Sequence, residues 1–207
     1  LAQSHCWPTR VPRGLPVPRF LIDCVTWLRS REPRTEFLFR AAGDSDLVKQ
    51  LCAGEASLEG LADDDDDNKL TVAQAMKVFL RGMKKGPLVP VAARNDFLKS
   101  LEANGTNPRF GGSVVPPRRK PQGGDSDPLE GLDALRSAVD SLPDENWSAM
   151  AFLCIFLHDL SNDDPDDSAN LVASTHMNAS ALGSMLAPNC LPPPAPSADD
   201  LMALTDM

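Results

Sequence analysis

Tyrosine is absent, and aromatic residues of all kinds make up only 5% of the chain. The 42% of hydrophobic residues are still enough for a sizeable core in 207 residues, as one large domain or two small ones. Positive charge is scarce as well. Twenty Lys and Arg against 29 Asp and Glu leave a net charge of -9, the opposite of what a nucleic-acid binder needs. No CxxC occurs among the five cysteines Cys6, Cys24, Cys52, Cys154 and Cys190. Their number is odd with no close pair, and Cys24, Cys52 and Cys154 sit among apolar residues, which suits reduced, buried thiols and a cytoplasmic protein. No run approaches the ~18 apolar residues of a membrane span, and no charged-then-apolar signal peptide opens the chain.

Catalytic signatures are equally sparse. There is no G-x-S-x-G and no Walker loop. His5, His158 and His176 have no second His, Cys or Glu at metal-ligand spacing, so structural roles are expected for them. No alternating β run of useful length appears.

What the chain does have is helical periodicity. Val17, Phe20, Leu21, Cys24, Val25 and Leu28 form one stripe. Asp44 to Asp46 can cap a helix carrying Leu47, Val48 and Leu51. Leu70 to Arg81 carries Val72, Ala73, Met76, Phe79 and Leu80 on one side. Phe97, Leu98 and Leu101 mark a fourth helix; Leu132, Leu135, Val139 and Leu142 mark a fifth. Trp147 to Leu160 is apolar nearly all round and is expected to be the central, most buried helix. Asn178 can cap a last helix with Leu182, Met185 and Leu186, ended by Pro188. The expectation is a single all-α bundle. Residues 1–13 read as a tail, 14–191 as the helical domain, Asn104 to Pro128 as a disordered Gly/Pro-rich insertion, and 192–207 as a proline-rich mobile tail.

Three features bear on function. The acidic run DDDDDNKLTVAQ (Asp63 to Gln74) can be laid on a twelve-residue calcium loop, with Asp63, Asp65 and Asp67 as ligands and Leu70 as the apolar eighth position. Asn68 stands where that loop wants glycine and Gln74 where it needs a bidentate glutamate. The simpler expectation is an acidic loop whose charge favours the start of the next helix. Lys77 and Arg81, at i and i+4, put two cations side by side. Arg40, in EFLFRAAG, follows Leu38 and Phe39, which should anchor it, and precedes Ala41, Ala42 and Gly43, small enough for a partner's surface to come close.

Four blocks, in order, resemble the RhoGAP domain, the GTPase-activating module for Rho-family small GTPases. They are Leu15 to Leu51, with Val17-Pro18, Leu21, Cys24 and Phe37-Leu38-Phe39-Arg40-Ala41-Ala42-Gly43; Thr71 to Pro90, with Lys77-Val78-Phe79-Leu80-Arg81; Leu142 to Leu160, with Leu142-Pro143 and Asn146; and Met177 to Leu191, with Leu186-Ala187-Pro188-Asn189. The resemblance covers roughly residues 14 to 191. It implies an all-helical bundle and a regulator of a GTPase rather than an enzyme with its own substrate site. Arg40 takes the position of an arginine finger. Lys77, Arg81 and Asn189 take positions that contact the GTPase or brace the finger loop. The implied partner is a Rho-family small GTPase in its GTP-bound state, which carries the GTP and Mg²⁺, so the chain needs no cofactor of its own. Three positions depart from the family pattern. Phe37 replaces a glycine and would strain the loop if a positive φ is required. Ala181 replaces an asparagine early in the last helix. GMKKGP (Gly82 to Pro87) replaces an acidic stretch. These departures point to a competing expectation, a module that docks a small GTPase without accelerating it.

Overall fold

The computed structural model describes residues 16–31, 34–62, 65–83, 86–103, 135–161 and 171–191. Eight α-helices account for most of them: α1 (Arg19–Ser30), α2 (Ser45–Ala53), α3 (Asp66–Arg81), α4 (Val91–Ala103), α5 (135–140), α6 (Asp144–Leu160), α7 (Leu171–Thr175) and α8 (Ala179–Cys190). One 3-10 turn, Leu58–Gly60, follows α2. The described residues contain no strand, so the fold is all-α. The segments 1–13, 104–128 and 192–207, with His5, Cys6 and Leu132, lie outside the described residues.

Local chemistry sets the helix boundaries. The Asp44 side chain accepts from the amides of Asp46 and Leu47, capping α2, and Gly54 closes it in the left-handed conformation at φ 76. Asn178 accepts from the Ala181 amide and caps α8. α3 begins at Asp66, four residues before the apolar period does, because Asp65 caps it by accepting from the Asp67 amide. Asp66 and Asp67 then sit in its first turn, where the helix dipole favours negative charge. From Asp66 onward the acidic run is therefore helix and not a calcium loop. Pro188 does not end α8; it lies inside it. The turn around it is held by Asn189, whose side-chain amide donates to the Met185 carbonyl at 2.8 Å.

The centre of the bundle is α3, packed against α1, α2 and α8. Val72, Ala73, Ala75, Met76 and Leu80 have no exposed surface. This corrects the expectation for Trp147 to Leu160. α6 buries Phe152, Leu153, Phe156 and Leu160 but leaves Cys154, His158 and Asp159 exposed. All-round apolarity misled because small apolar residues tolerate exposure, whereas α3 earned its central place through its neighbours. Cys52 and Cys154 are exposed rather than buried, and Cys24 and Cys190 are buried. A smaller cluster of Val89, Phe97, Ala138 and Leu142 joins α4 and α5 to the start of α6. The described helices include none long and apolar enough to cross a membrane.

Candidate functional site

Between α1 and α2 the chain makes a tight turn over residues 36–40. The Phe37 carbonyl accepts from the amides of Arg40 (2.7 Å) and Ala41 (2.9 Å). Closing this turn puts two non-glycine residues at positive φ, Phe37 at 57° and Phe39 at 70°. Such residues cost about 1–3 kcal/mol each and persist only where the surroundings over-determine them. Here they do. Leu38 and Phe39 are buried, at 1% and 0% exposure, and Phe39 meets Phe156 edge-on at 6.3 Å. The Phe37 amide donates to the Thr175 carbonyl at 2.8 Å. The expected anchoring by Leu38 and Phe39 is present, and Phe37 does adopt the conformation a glycine would take freely.

A polar stripe on α3 secures the rest of the loop. The Thr35 hydroxyl donates to Asp66 Oδ1 at 2.7 Å, a bond that, with Lys69, holds the Asp66 carboxyl below its ordinary value. Lys77 Nζ donates to the Phe39 carbonyl at 2.6 Å. The Gly43 amide donates to Gln74 Oε1 at 2.8 Å, and the Asp44 amide to Thr71 Oγ1 at 2.9 Å. Gly43 runs so close to α3 that a Cβ on it would sit 2.3 Å from the Thr71 Cα. Its smallness therefore serves α3 rather than an approaching partner. Thr71 and Gln74 have no place in the sequence-based site. A polar spacing of 66, 71, 74, 77 and 81 on one helix was the available signal, and it does not say what the residues hold.

Arg40 leaves the loop on its exposed side. Its guanidinium carbon lies 5.5 Å from the centroid of the Phe37 ring, and among the described residues no carboxylate pairs with it. The His176 ring also contacts that ring, with centroids 5.7 Å apart, and its Nε2 lies 3.5 Å from Glu36 Oε1. Lys77, Arg81 and Asn189 are brought to the same side of the bundle, but each makes internal bonds. Lys77 is half-buried, and burial, then the Arg81 charge, lowers its pKa. Arg81 is exposed yet donates from Nε and Nη2 to Asn189 Oδ1, at 3.2 and 2.8 Å. Asn189 is 4% exposed and thus links the end of α3 to the end of α8. Ala181 packs partly buried against the main core. Within the GMKKGP segment, Gly82 closes α3 and Gly86 takes φ 104. Asn146 pins the residues that follow, its amide donating to the Leu88 carbonyl at 2.9 Å.

No group of three or more His, Cys, Asp or Glu among the described residues is placed to hold a metal ion. Asp65 caps a helix and Gln74 holds Gly43, so two positions of the calcium alignment are engaged elsewhere. What the arrangement can do is present one exposed guanidinium, without a carboxylate partner among the described residues, from a backbone fixed on both sides.

Comparison with known proteins bears on the family and the fold. The RhoGAP domain family model matches residues 18–195. Mouse Rho GTPase-activating protein 24 is 27% identical over 176 residues, covering 85% of this chain and 20% of that protein. Human Rho GTPase-activating protein 25 is 27% identical over 144 residues, covering 70% of this chain and 19% of that protein. The chain thus spans about a fifth of the length of the curated relatives it matches. The crystal structure of human Rho GTPase activating protein 15 superposes with a TM-score of 0.61 at 20% identity, covering 84% of this chain and 69% of that one. The chain belongs to the RhoGAP domain family.

Proposed function

We propose that this chain stimulates GTP hydrolysis by a Rho-family small GTPase in its GTP-bound state, with Arg40 inserted in trans into the partner's active site. The observation that carries this reading is an exposed arginine, with no carboxylate partner among the described residues, on a loop whose backbone is bonded to α3 on both sides of it. During phosphoryl transfer to water, charge develops on the γ-phosphate oxygens and on the leaving bridge oxygen. A guanidinium brought against them stabilises that charge, and its planar fork fits phosphate better than an ammonium does. Docking excludes water and strengthens the effect. GTP and Mg²⁺ belong to the partner. The exposed Arg81, held by Asn189, and Lys77, which braces the loop, complete the docking side.

In the related Ras system such a finger contributes about 10³ to 10⁵ in rate, roughly 4 to 7 kcal/mol of barrier. Single-turnover GTP hydrolysis by a panel of Rho-family GTPases tests the reading with wild type, Arg40→Ala and Arg40→Lys. Arg40→Ala should still bind the GTP-bound partner while losing most of the stimulation, and lysine should rescue poorly. Equal stimulation by all three proteins would eliminate the finger. Binding by wild type with no stimulation of any GTPase would leave a docking module.

A further inference from the structure

Arg40 has no carboxylate partner among the described residues, but it is not unsupported, because the ring of Phe37 lies under its guanidinium at 5.5 Å. The two residues are fixed relative to one another by the turn itself, since the Phe37 carbonyl accepts the Arg40 amide at 2.7 Å. The ring in turn packs at 5.7 Å against His176, which faces Glu36. Phe37 is 37% exposed, so it reaches the surface from which Arg40 projects. A phenylalanine at φ 57 is held there at a conformational cost that a glycine would avoid.

We infer that Phe37 is a positioning residue for Arg40: its ring is a platform that holds the guanidinium over the loop before a partner arrives. This rests on the proposed role of Arg40. A carboxylate in the same place would also restrain the arginine, but it would occupy N–H donors. A ring attracts the cation through its face and takes none of the five donors that recognise phosphate oxygens. A free arginine must give up its rotamer freedom when it enters the partner's site. An arginine already resting on a ring has given up part of it. The benefit therefore falls on the rate within the docked complex rather than on docking itself. A contact of this kind at an exposed site corresponds to about a 2- to 5-fold change in rate.

Two measurements test it. The first needs no partner. ¹⁵N relaxation at Arg40 Nε should show a restrained side chain in wild type and in Phe37→Tyr, and a freely moving one in Phe37→Leu, which keeps an apolar side chain but has no π-face. Equal mobility in all three overturns the inference, whatever Arg40 does. The second is single-turnover GTP hydrolysis by a Rho-family GTPase that responds to wild type. Phe37→Leu should lower the rate at saturating activator about 2- to 5-fold, leave the half-saturating concentration unchanged, and be rescued by Phe37→Tyr. In an Arg40→Ala background the same substitution should have no effect, because the pair acts as a unit. A loss that persists in that background, or one that appears only as weaker docking, overturns the platform while leaving the finger standing. If Arg40→Ala stimulates as well as wild type, the finger itself falls and the platform has nothing to position.

Discussion

On one face of α3, Val72, Ala73, Ala75, Met76 and Leu80 are fully buried against apolar neighbours; on the other, Asp66, Thr71, Gln74, Lys77 and Arg81 reach single polar atoms. The two faces hold different things. The apolar face works through area, which is non-directional and tolerant of detail. The polar face works through individual hydrogen bonds, each modest in net energy but fixed in direction. One helix thus contributes to the core from one side and fixes the loop's geometry from the other. Substitutions should separate the two.

The largest effect on stability is expected on the apolar face. Met76→Ala deletes a fully buried side chain and should cost about 2–5 kcal/mol in urea unfolding. The molecules that remain folded should stimulate hydrolysis at the wild-type rate, and a rate loss at full occupancy of the fold would undo the separation. Gly43→Ala attacks the join between loop and helix. Its Cβ cannot coexist with the Thr71 backbone 2.3 Å away, so the loop must lift, at a cost of about 1–3 kcal/mol. Unlike Met76→Ala it should also abolish stimulation, measured on protein shown to be folded by circular dichroism.

Lys77→Met lies wholly on the polar face. It leaves the Phe39 carbonyl without its donor, which should cost about 1 kcal/mol, offset by a few tenths as the repulsion with Arg81 disappears. Stimulation should fall more than stability does. A stability loss as large as that of Met76→Ala would mean that the two faces are not distinct.

The effect that is smallest at neutral pH appears only in alkali. Burial pushes the Cys24 thiol from 9.0 up to about 12. The unfolded thiol therefore ionises first, and the folded state loses relative stability as pH rises from about 9 towards 12, at about 1 kcal/mol per unit at most. Cys24→Ala should flatten that slope, while a substitution at the exposed Cys52 should change it less. Urea midpoints followed from neutral to alkaline pH decide between them.

The apolar face was legible in the sequence because burial leaves a period. The α1 stripe, the caps at Asp44 and Asn178, and the anchoring of the loop by Leu38 and Phe39 all follow from short-range spacing. The polar face was legible only in part. Arg40, Lys77 and Arg81 stood out as cations, but the partners of Lys77 and Arg81 are 38 and 108 residues away and leave no local trace. Gln74 looked like a failed calcium ligand because its real partner, the Gly43 amide, is 31 residues distant. The start of α3 was missed for a related reason. Aspartates in a first turn add nothing to an apolar period, although they favour the helix electrostatically. Pro188 was read as a stop, and the bond from Asn189 to Met185 that carries the helix past it is invisible in composition.

Because the amides of Phe37, Gly43 and Asp44 are bonded to Thr175, Gln74 and Thr71, the turn that bears Arg40 has no opening of its own. Most surface loops exchange their amide hydrogens through local fluctuations far below the global unfolding energy. The amides of Gly43 and Asp44, bonded to side chains of the central helix, should instead exchange together with it. Solvent, denaturant or a destabilising substitution would then release the loop only when α3 itself comes apart.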